Sequence, residues 1–292
     1  MRIFALELDN DIKGIERRKA YIEELIAMLP EPDIVVLPEL ALCSYMASQK
    51  IWSLSDDCSS DTSEWSVSIA KKYNTYVGVG YLDKENGDYY NRYMIAGPDG
   101  VCGTVSKSEG ESAVFKRGDF PSIINTPFGN VGVGICYDSR RKHFYENVRN
   151  EELSLIFFPH GSPADPTKPD KECGENDKRC MAYVNAFGIP VVYVNSTGKL
   201  EYMPGKMGAL MKKYGFRMNG LSRIYAPESV PINTDISEAI GSDVPIQPKK
   251  RNKEIRFYGE DILRGNWLFK HFILKHDTEA GVKSYEAEHK KQ

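Results

Sequence analysis

Val131-Gly132-Val133-Gly134-Ile135-Cys136-Tyr137-Asp138 is an apolar, partly β-branched run that delivers one cysteine at the point where polar residues take over, with Ser139, Arg140 and Arg141 following. Such a run reads as a buried strand, and the polar residues beyond it as a turn or helix start. A thiol at that junction sits where a nucleophile would. Helix N-terminal amides and nearby cations would lower its pKa there, and its own turn would supply an N–H to an oxyanion. The same pattern also describes an inert core thiol at a strand end, because free cysteines are among the most buried residues. What separates the two readings is the company the cysteine keeps.

Working outward, strand patterns alternate with helical ones over most of the chain. Ile3 to Leu8 reads as a strand, Ile12 to Met28 as an amphipathic helix, and Ile34 to Leu37 as a second buried strand stopped by Pro38. Glu64 to Tyr73 is helical, Tyr76 to Tyr81 and Tyr90 to Ala96 are strands, and Gly97-Pro98-Asp99-Gly100 is a turn. After Cys136 come a helix over His143 to Arg149, an apolar strand over Leu155 to Pro159, a polar Pro-rich loop from Ser162 to Asp177, a helix over Lys178 to Phe187 and a strand over Val191 to Asn195. Several strands are apolar on both faces, which predicts α/β layers with sheet buried between helices. Beyond Ala226 the pattern weakens. Pro231 to Lys250 reads as a linker or extended arm, and Trp267, Leu268, Phe269, Phe272 and Ile273 form an apolar cluster before a charged tail from Lys275 to Gln292. The expected division is therefore a domain over residues 1–230 and a carboxyl-terminal extension over 231–292, whose cluster closes the core or packs on a partner subunit.

A chain of 292 residues buries most of its apolar surface without disulfides or metals. Its net charge of −3 and pI near 6.0 argue against nucleic acid or an anionic membrane as partner and favour a small-molecule substrate. No charged leader with an apolar core and no membrane span is visible, so a cytoplasmic protein with reduced thiols is expected. The six cysteines form no CxxC pair, and His143 and His160 are too isolated to found a metal site; no metal is expected.

Three polar residues stand at the ends of three strand patterns: Glu39 after Ile34 to Pro38, Lys107 after the Gly97 to Gly100 turn, and Cys136. A thiol attacking an amide needs a base to take its proton and return it to the leaving amine, which a partly buried carboxylate can do. It also needs a cation or N–H pair for the oxyanion, which an ammonium can supply. Taken singly, Glu39 and Lys107 also fit ordinary solvated positions after a strand or hairpin.

Taken in order, these residues make the chain resemble the nitrilase superfamily, the carbon-nitrogen hydrolases with a Glu-Lys-Cys triad. Leu37-Pro38-Glu39 resembles the glutamate motif, and Asn91 with Gly97-Pro98-Asp99-Gly100 is similar to the central hairpin that leads to Lys107. Gly134-Ile135-Cys136-Tyr137-Asp138 with Arg140 is close to the nucleophile motif. Arg179, Ala182 and Asn185, then Asn195 with Gly198, and then Gly220, Ser222, Ile224 and Pro227 continue the resemblance, which spans about Met1 to Pro227. It implies a four-layer α-β-β-α sandwich that pairs into homodimers or larger homo-oligomers. It also implies Glu39 as general base and then acid, Lys107 as support for the tetrahedral intermediate, and Cys136 as the nucleophile that forms a thioester. A second glutamate near the site is implied as Glu111, with Glu109 as the fallback, and the Tyr137 amide as part of the oxyanion hole. No metal or organic cofactor is implied. Departures are Val105-Ser106-Lys107-Ser108-Glu109 in place of an aromatic-Arg-Lys-x-His-Leu pattern, an unusually short stretch from Lys107 to Glu111, and Tyr183-Val184 where a glutamate commonly precedes the asparagine.

For the substrate, Arg140 and Arg141 suggest a guanidinium grip on a carboxylate, against an alternative in which the arginine pairs with Asp138 or Glu146. A linear amide or N-carbamoyl compound with an acidic group is the resulting expectation. His160-Gly161-Ser162-Pro163 replaces a bulkier family segment, so His160 and Ser162 are expected to line room for a longer acyl chain. The alternatives are a nitrilase working through a thioimidate and a catalytically silent scaffold. A Cys-His hydrolase would need a histidine beside Cys136, and no histidine has a recognisable catalytic setting in the sequence.

Overall fold

The computed structural model describes residues 1–119, 121–201, 203, 205–264 and 275–290. Strands are numbered in chain order. The first sheet holds β1 (Arg2–Leu6), β2 (Ile34–Val36), β3 (Asp56–Asp57), β4 (Tyr76–Glu85), β5 (Asp88–Gly97), β6 (Gly100–Ser106), β15 (Val230–Ile232) and β16 (Ala239–Asp243), in the order β15-β16-β1-β2-β4-β5-β6 with β3 paired to β4. The second holds β7 (Ile123–Thr126), β8 (Gly129–Val133), β9 (Glu152–Pro159), β11 (Val191–Val194), β14 (Arg223–Tyr225) and β17 (Lys249–Lys250), in the order β14-β11-β9-β8-β7 with β17 paired to β9. A small third sheet joins β10 (Pro163–Ala164), β13 (Arg217–Asn219) and β12 (Thr197–Lys199).

The period of two along each strand sorts the side chains into layers. Ile3, Ala5, Ile34 and Val36 face Val131, Val133, Leu155, Phe157, Val192 and Val194 of the second sheet in one shared core. The alternate residues Phe4, Leu6, Val35 and Leu37 turn outward onto α1 (Ile15–Met28) and α2 (Ser60–Tyr73). Ile156, Phe158, Val191 and Tyr193 turn the other way, onto α3 (Lys142–Val148) and α4 (Pro169–Phe187). This is why the central strands are apolar on both faces. The layers run helix, sheet, sheet, helix, as the resemblance implied.

Two segments differ from the sequence reading. The polar loop expected over Ser162 to Asp177 is mostly helix: α4 starts at Pro169, with Asp170 and Glu172 in its first turn. Proline at the first position and acids in the first turn are helix-start chemistry, and they mimic a loop composition. The linker expected over Pro231 to Lys250 contains a hairpin, β15 with β16, and β16 lies antiparallel on β1 from Arg2↔Asp243 to Leu6↔Ala239. The Met1 amino group reaches Asp243 Oδ1 and the Val244 carbonyl, both at 2.9 Å. Strands near a sheet margin carry polar residues, which hides them from a hydrophobicity reading.

The carboxyl-terminal region thus contributes strands to both sheets of its own chain. Further on, α6 (Lys275–His289), which follows α5 (Gly205–Lys213), packs on the segment after Lys107 and on the start of β5: the Ser112 hydroxyl donates to Thr278 O at 2.9 Å, and the Tyr89 amide of β5 donates to the Tyr285 hydroxyl at 3.0 Å. The apolar cluster Trp267 to Ile273 lies outside the described residues. No helix among the described residues is long and apolar enough to cross a membrane.

Candidate active site

Strand ends of both sheets meet in one buried site. β2 runs into Leu37-Pro38-Glu39, held to the next strand by Leu37 N–H donating to Gly78 O at 2.9 Å. A Cβ at Gly80 would lie 2.5 Å from Pro38 O and 2.6 Å from Leu40 N, so glycine lets β4 close against the glutamate backbone. Leu40 then turns the chain with φ 52°, and Glu39 is left 1 % exposed. β6 ends at Ser106 opposite Arg92 of β5, and the Lys107 amide donates to Asn91 O at 2.8 Å. That register brings both Asn91 and Lys107 to Glu39 Oε1, Asn91 Nδ2 at 2.7 Å and Lys107 Nζ at 2.6 Å. Lys107 Nζ also lies 2.6 Å from Glu111 Oε2.

β8 ends at Val133, and Cys136 opens a 3-10 helix that runs to Arg140. Cys136 itself has φ 50°, a left-handed conformation that costs a non-glycine residue roughly 1–3 kcal/mol and is found where function over-determines the backbone. Its amide neighbour Tyr137 lies in the first turn of that helix, where N–H groups lack intrahelical partners.

The electrostatics differ from the sequence expectation. Burial pushes the Cys136 thiol up to about 12; Glu39 and Glu111 add to the rise and Lys107 opposes it. Five residues of 3-10 helix and one shared ammonium do not offset burial beside two carboxylates, so the resting group is a thiol rather than the depressed thiolate expected. Burial also raises the Glu39 carboxyl above its ordinary value, with the Glu111 charge adding and Lys107 and Asn91 opposing. Burial works against the Lys107 ammonium, but the Glu111 and Glu39 carboxylates beside it hold the lysine cationic. A carboxylate of raised basicity beside a protonated thiol and a fixed cation is equipped for proton abstraction followed by oxyanion stabilisation.

Of the two glutamates considered for the second position, Glu111 is the one beside Lys107. The short stretch after Lys107 coils into a turn, with Val114 N and Phe115 N donating to Glu111 O at 2.8 and 3.1 Å, and Tyr45 OH donates to Glu111 Oε1 at 2.7 Å. Glu109 faces away, pairing with Arg141 Nε at 2.9 Å and His143 Nδ1 at 3.2 Å.

Arg140 and Arg141 are not open cations. Arg140 Nε lies 3.1 and 3.0 Å from the two oxygens of Asp261, with Nη2 3.0 Å from Oδ2, and Arg141 is held by Glu109. The partners are neither Asp138 nor Glu146. Asp138 instead accepts the Ser108 and Glu109 amides, each at 2.8 Å, and so fixes the loop that follows the lysine.

His160 and Ser162 both lie at the site, His160 buried and Ser162 half-buried. A Cβ at Gly161 would meet the Tyr45 ring at 2.3 Å, so glycine lets that ring pack directly on the backbone between them. The same closeness lets the Gly161 amide donate to Glu39 Oε2 at 2.7 Å. His160 is 2 % exposed, with Nδ1 2.8 Å from Ser162 Oγ and Nε2 3.2 Å from Ser139 Oγ, and Ser162 Oγ is 3.4 Å from Cys136 Sγ. A histidine therefore stands one hydroxyl away from the cysteine, a setting the sequence did not reveal. Tyr45, Ser139 and the Gly161 amide were likewise not singled out. Only the two-residue spacing from His160 to Ser162 hinted at a shared role.

A carbon-nitrogen hydrolase family model matches residues 10–234. Among curated proteins, omega-amidase NIT2-B of Xenopus laevis is 28% identical over 142 residues, covering 43% of this chain and 50% of that protein. N-carbamoylputrescine amidase of Oryza sativa subsp. japonica is 25% identical over 141 residues, covering 45% and 47%. The chain thus spans about half the length of the curated relatives it matches. Among solved structures, an amidase from Nesterenkonia sp. AN1, captured with the acetamide moiety of fluoroacetamide on its active-site cysteine, superposes with a TM-score of 0.66 at 18% identity, covering 84% of this chain and 90% of that one. A carbon-nitrogen hydrolase from Helicobacter pylori G27 superposes at 0.64 and 19%, covering 83% and 88%. With the family model spanning more than half of its length and the layer order of the fold agreeing, this chain belongs to the carbon-nitrogen hydrolase family.

Proposed function

We propose that the protein hydrolyses the carbon-nitrogen bond of a linear amide through a thioester on Cys136. Glu39 takes the thiol proton, the sulfur attacks the carbonyl carbon, and the oxyanion forms between the Lys107 ammonium and the Tyr137 amide. Glu39 then gives its proton to the leaving nitrogen, which departs as the amine and leaves the thioester. In the second half Glu39 removes a proton from water, the hydroxide displaces sulfur, and the acid and the Cys136 thiol are released. Glu111, held by Tyr45, fixes Lys107 between two carboxylates. The observation that carries this reading is the single ammonium 2.6 Å from both Glu39 and Glu111, in a site whose charges all act on the Cys136 thiol.

The acidic substrate group expected from Arg140 and Arg141 has no open guanidinium at those two positions, because Asp261 and Glu109 neutralise them. We therefore favour an uncharged acyl group. A preference for ω-amides of dicarboxylic acids would require Arg140 to exchange Asp261 for the substrate. Intact-mass measurement after exposure to a panel of aliphatic amides, ω-amides, N-carbamoyl compounds and nitriles tests the reading. An acyl adduct with turnover, absent in Cys136→Ala, is expected for aliphatic amides; no adduct with any amide, or an unchanged adduct in Cys136→Ala, overturns it. An ω-amide preference that vanishes in Arg140→Ala would overturn the uncharged-acyl choice alone.

A further inference from the structure

A closed ring of hydrogen bonds runs from the nucleophile's sulfur to its own carbonyl: Cys136 Sγ to Ser162 Oγ at 3.4 Å, Ser162 Oγ to His160 Nδ1 at 2.8 Å, His160 Nε2 to Ser139 Oγ at 3.2 Å, and Ser139 Oγ to Cys136 O at 2.6 Å. The directions follow from the last link. A carbonyl only accepts, so Ser139 spends its one hydroxyl hydrogen on Cys136 O. His160 Nε2 must then bring the hydrogen to Ser139.

Burial pulls His160 well below its ordinary pKa, and Arg179, Lys107 and Arg140 add to the fall, so the imidazole is neutral and its Nδ1 carries a lone pair. Ser162 therefore spends its hydrogen on Nδ1. Between Ser162 and the sulfur, the remaining hydrogen belongs to sulfur.

We propose that His160 is a positioning residue that turns the Ser162 hydroxyl away from Cys136, so that Ser162 accepts from the S–H and holds the resting nucleophile as an oriented thiol. Deepening the thiol-nucleophile reading, this assigns Ser162 to the reacting atom and His160 to the orientation of Ser162. A hydroxyl hydrogen turned toward the sulfur would stabilise the thiolate and lower its nucleophilicity. With that hydrogen held by His160, the sulfur ionises only when Glu39 takes its proton. The other titratable groups acting on the thiol are Lys107 and Glu111, with Tyr45, Arg179 and Tyr193 also within electrostatic reach; His160 itself packs on the Tyr193 ring at 4.7 Å.

The test is the pH profile of Cys136 alkylation by iodoacetamide, followed on the Cys136 peptide by mass spectrometry. His160→Phe removes the acceptor and frees Ser162 to donate to the sulfur. Its apparent thiol pKa is expected to fall by about 1 unit, roughly a three- to fourfold gain in alkylation rate near neutral pH once the lower nucleophilicity of the more acidic thiol is counted. His160→Asn, which keeps an acceptor for Ser162, is expected to follow the wild type, and adding Ser162→Ala to His160→Phe is expected to remove the gain. Profiles of His160→Phe and wild type that overlay, or a gain that survives Ser162→Ala, would overturn the proposal.

Should His160→Phe not fold, nitrogen-15 chemical shifts of wild-type His160, assigned by comparison with His160→Asn, decide it: a neutral ring protonated on Nε2 is expected, and an Nδ1–H tautomer or an imidazolium overturns it. Neither measurement uses amide turnover, so a protein without amidase activity would refute the proposed function and leave this inference standing or falling by itself.

Discussion

Lys107 Nζ lies 2.6 Å from Glu39 Oε1 while the same ammonium lies 2.6 Å from Glu111 Oε2, so one buried cation serves two buried carboxylates. The cluster carries a net negative charge. Burial is the larger cause, and that excess adds to it, in raising the basicity of Glu39 and in keeping the proton on the neighbouring thiol.

Glu39→Gln should abolish proton abstraction while keeping an oxygen for Lys107 and Asn91 and leaving Glu111 to neutralise the lysine, at the cost of the acceptor for the Gly161 amide. Turnover is expected to drop by about 10²–10⁴-fold while the protein stays folded, with the thermal midpoint lowered by no more than the loss of one buried hydrogen bond, about 1–3 kcal/mol. Steady-state kinetics beside a melting curve check this; turnover within tenfold of wild type would remove Glu39 from the mechanism.

Lys107→Met leaves Glu39 and Glu111 buried without their cation. A loss of about 3–5 kcal/mol is expected near pH 8. Glu39, already raised by burial, would then titrate higher still without the ammonium that opposes the rise, so stability is present at low pH and lost as pH rises through that value. The variant should therefore gain on wild type as pH is lowered toward 5, and the double variant with Glu39→Gln should recover part of the loss. Urea unfolding at the two pH values measures both effects.

The acid limb of kcat/KM should report Glu39. It works as a carboxylate whose pKa is raised above 4.5, so activity is retained at higher pH and lost as pH falls through a midpoint above that value. Asn91 donates to Oε1 and opposes the rise. Asn91→Leu is expected to move the acid limb further up by about 0.5–1 unit. A limb that stays in place would assign it to another group.

His143 sits between Glu109 at 3.2 Å and Asp138 at 3.6 Å; burial opposes its charge, but these carboxylates raise its pKa to about 9. A raised histidine contributes stability that is full below the unfolded value near 6.5 and is lost as pH rises through about 9. With the ring 27% exposed, about 1–3 kcal/mol is expected across that window. His143→Gln should flatten the dependence of unfolding free energy on pH between 6.5 and 9, and equal slopes for both proteins would refute the role.

The carboxyl-terminal helix should brace the second glutamate. Gly281 of α6 has no room for a side chain, since a Cβ would lie 2.3 Å from Ser112 Oγ and 2.9 Å from Ala113 N, next to Glu111. Gly281→Val is expected to push the helix off that segment and lower kcat by up to about 10²-fold, the cost of misplacing a group at the site by about 1 Å. Limited proteolysis within 275–290 should accelerate in parallel. Unchanged kinetics together with accelerated proteolysis would show that the helix does not support the site.

Much of this was readable from local pattern. Alternation along Ile3 to Leu6 and Ile34 to Leu37 assigns each side chain to a sheet face before any contact is known, because the strand period is a property of the backbone. The hairpin β15 with β16 escaped because its polar residues lie toward a sheet margin. The first half of α4 escaped because Pro169, Asp170 and Glu172 have the composition of a loop as well as that of a helix start.

At the site, the chain order of Glu39, Lys107 and Cys136 pointed to the family and to the chemistry proposed for it, since residue type fixes what a group can donate, accept or attack. Which partner each group meets was beyond the sequence. Arg140 meets Asp261 across 121 positions, Glu39 meets the Gly161 amide across 122, and Glu111 rather than Glu109 meets Lys107 because a turn of a few residues rotates one inward. Those long-range pairings, with burial, set the protonation of Cys136 and the direction of the Ser162 hydroxyl. The sequence by itself determined the layers and singled out the groups proposed to react; only the tertiary structure decided their charge states and orientations, because both depend on desolvation and on neighbours that chain order does not bring together.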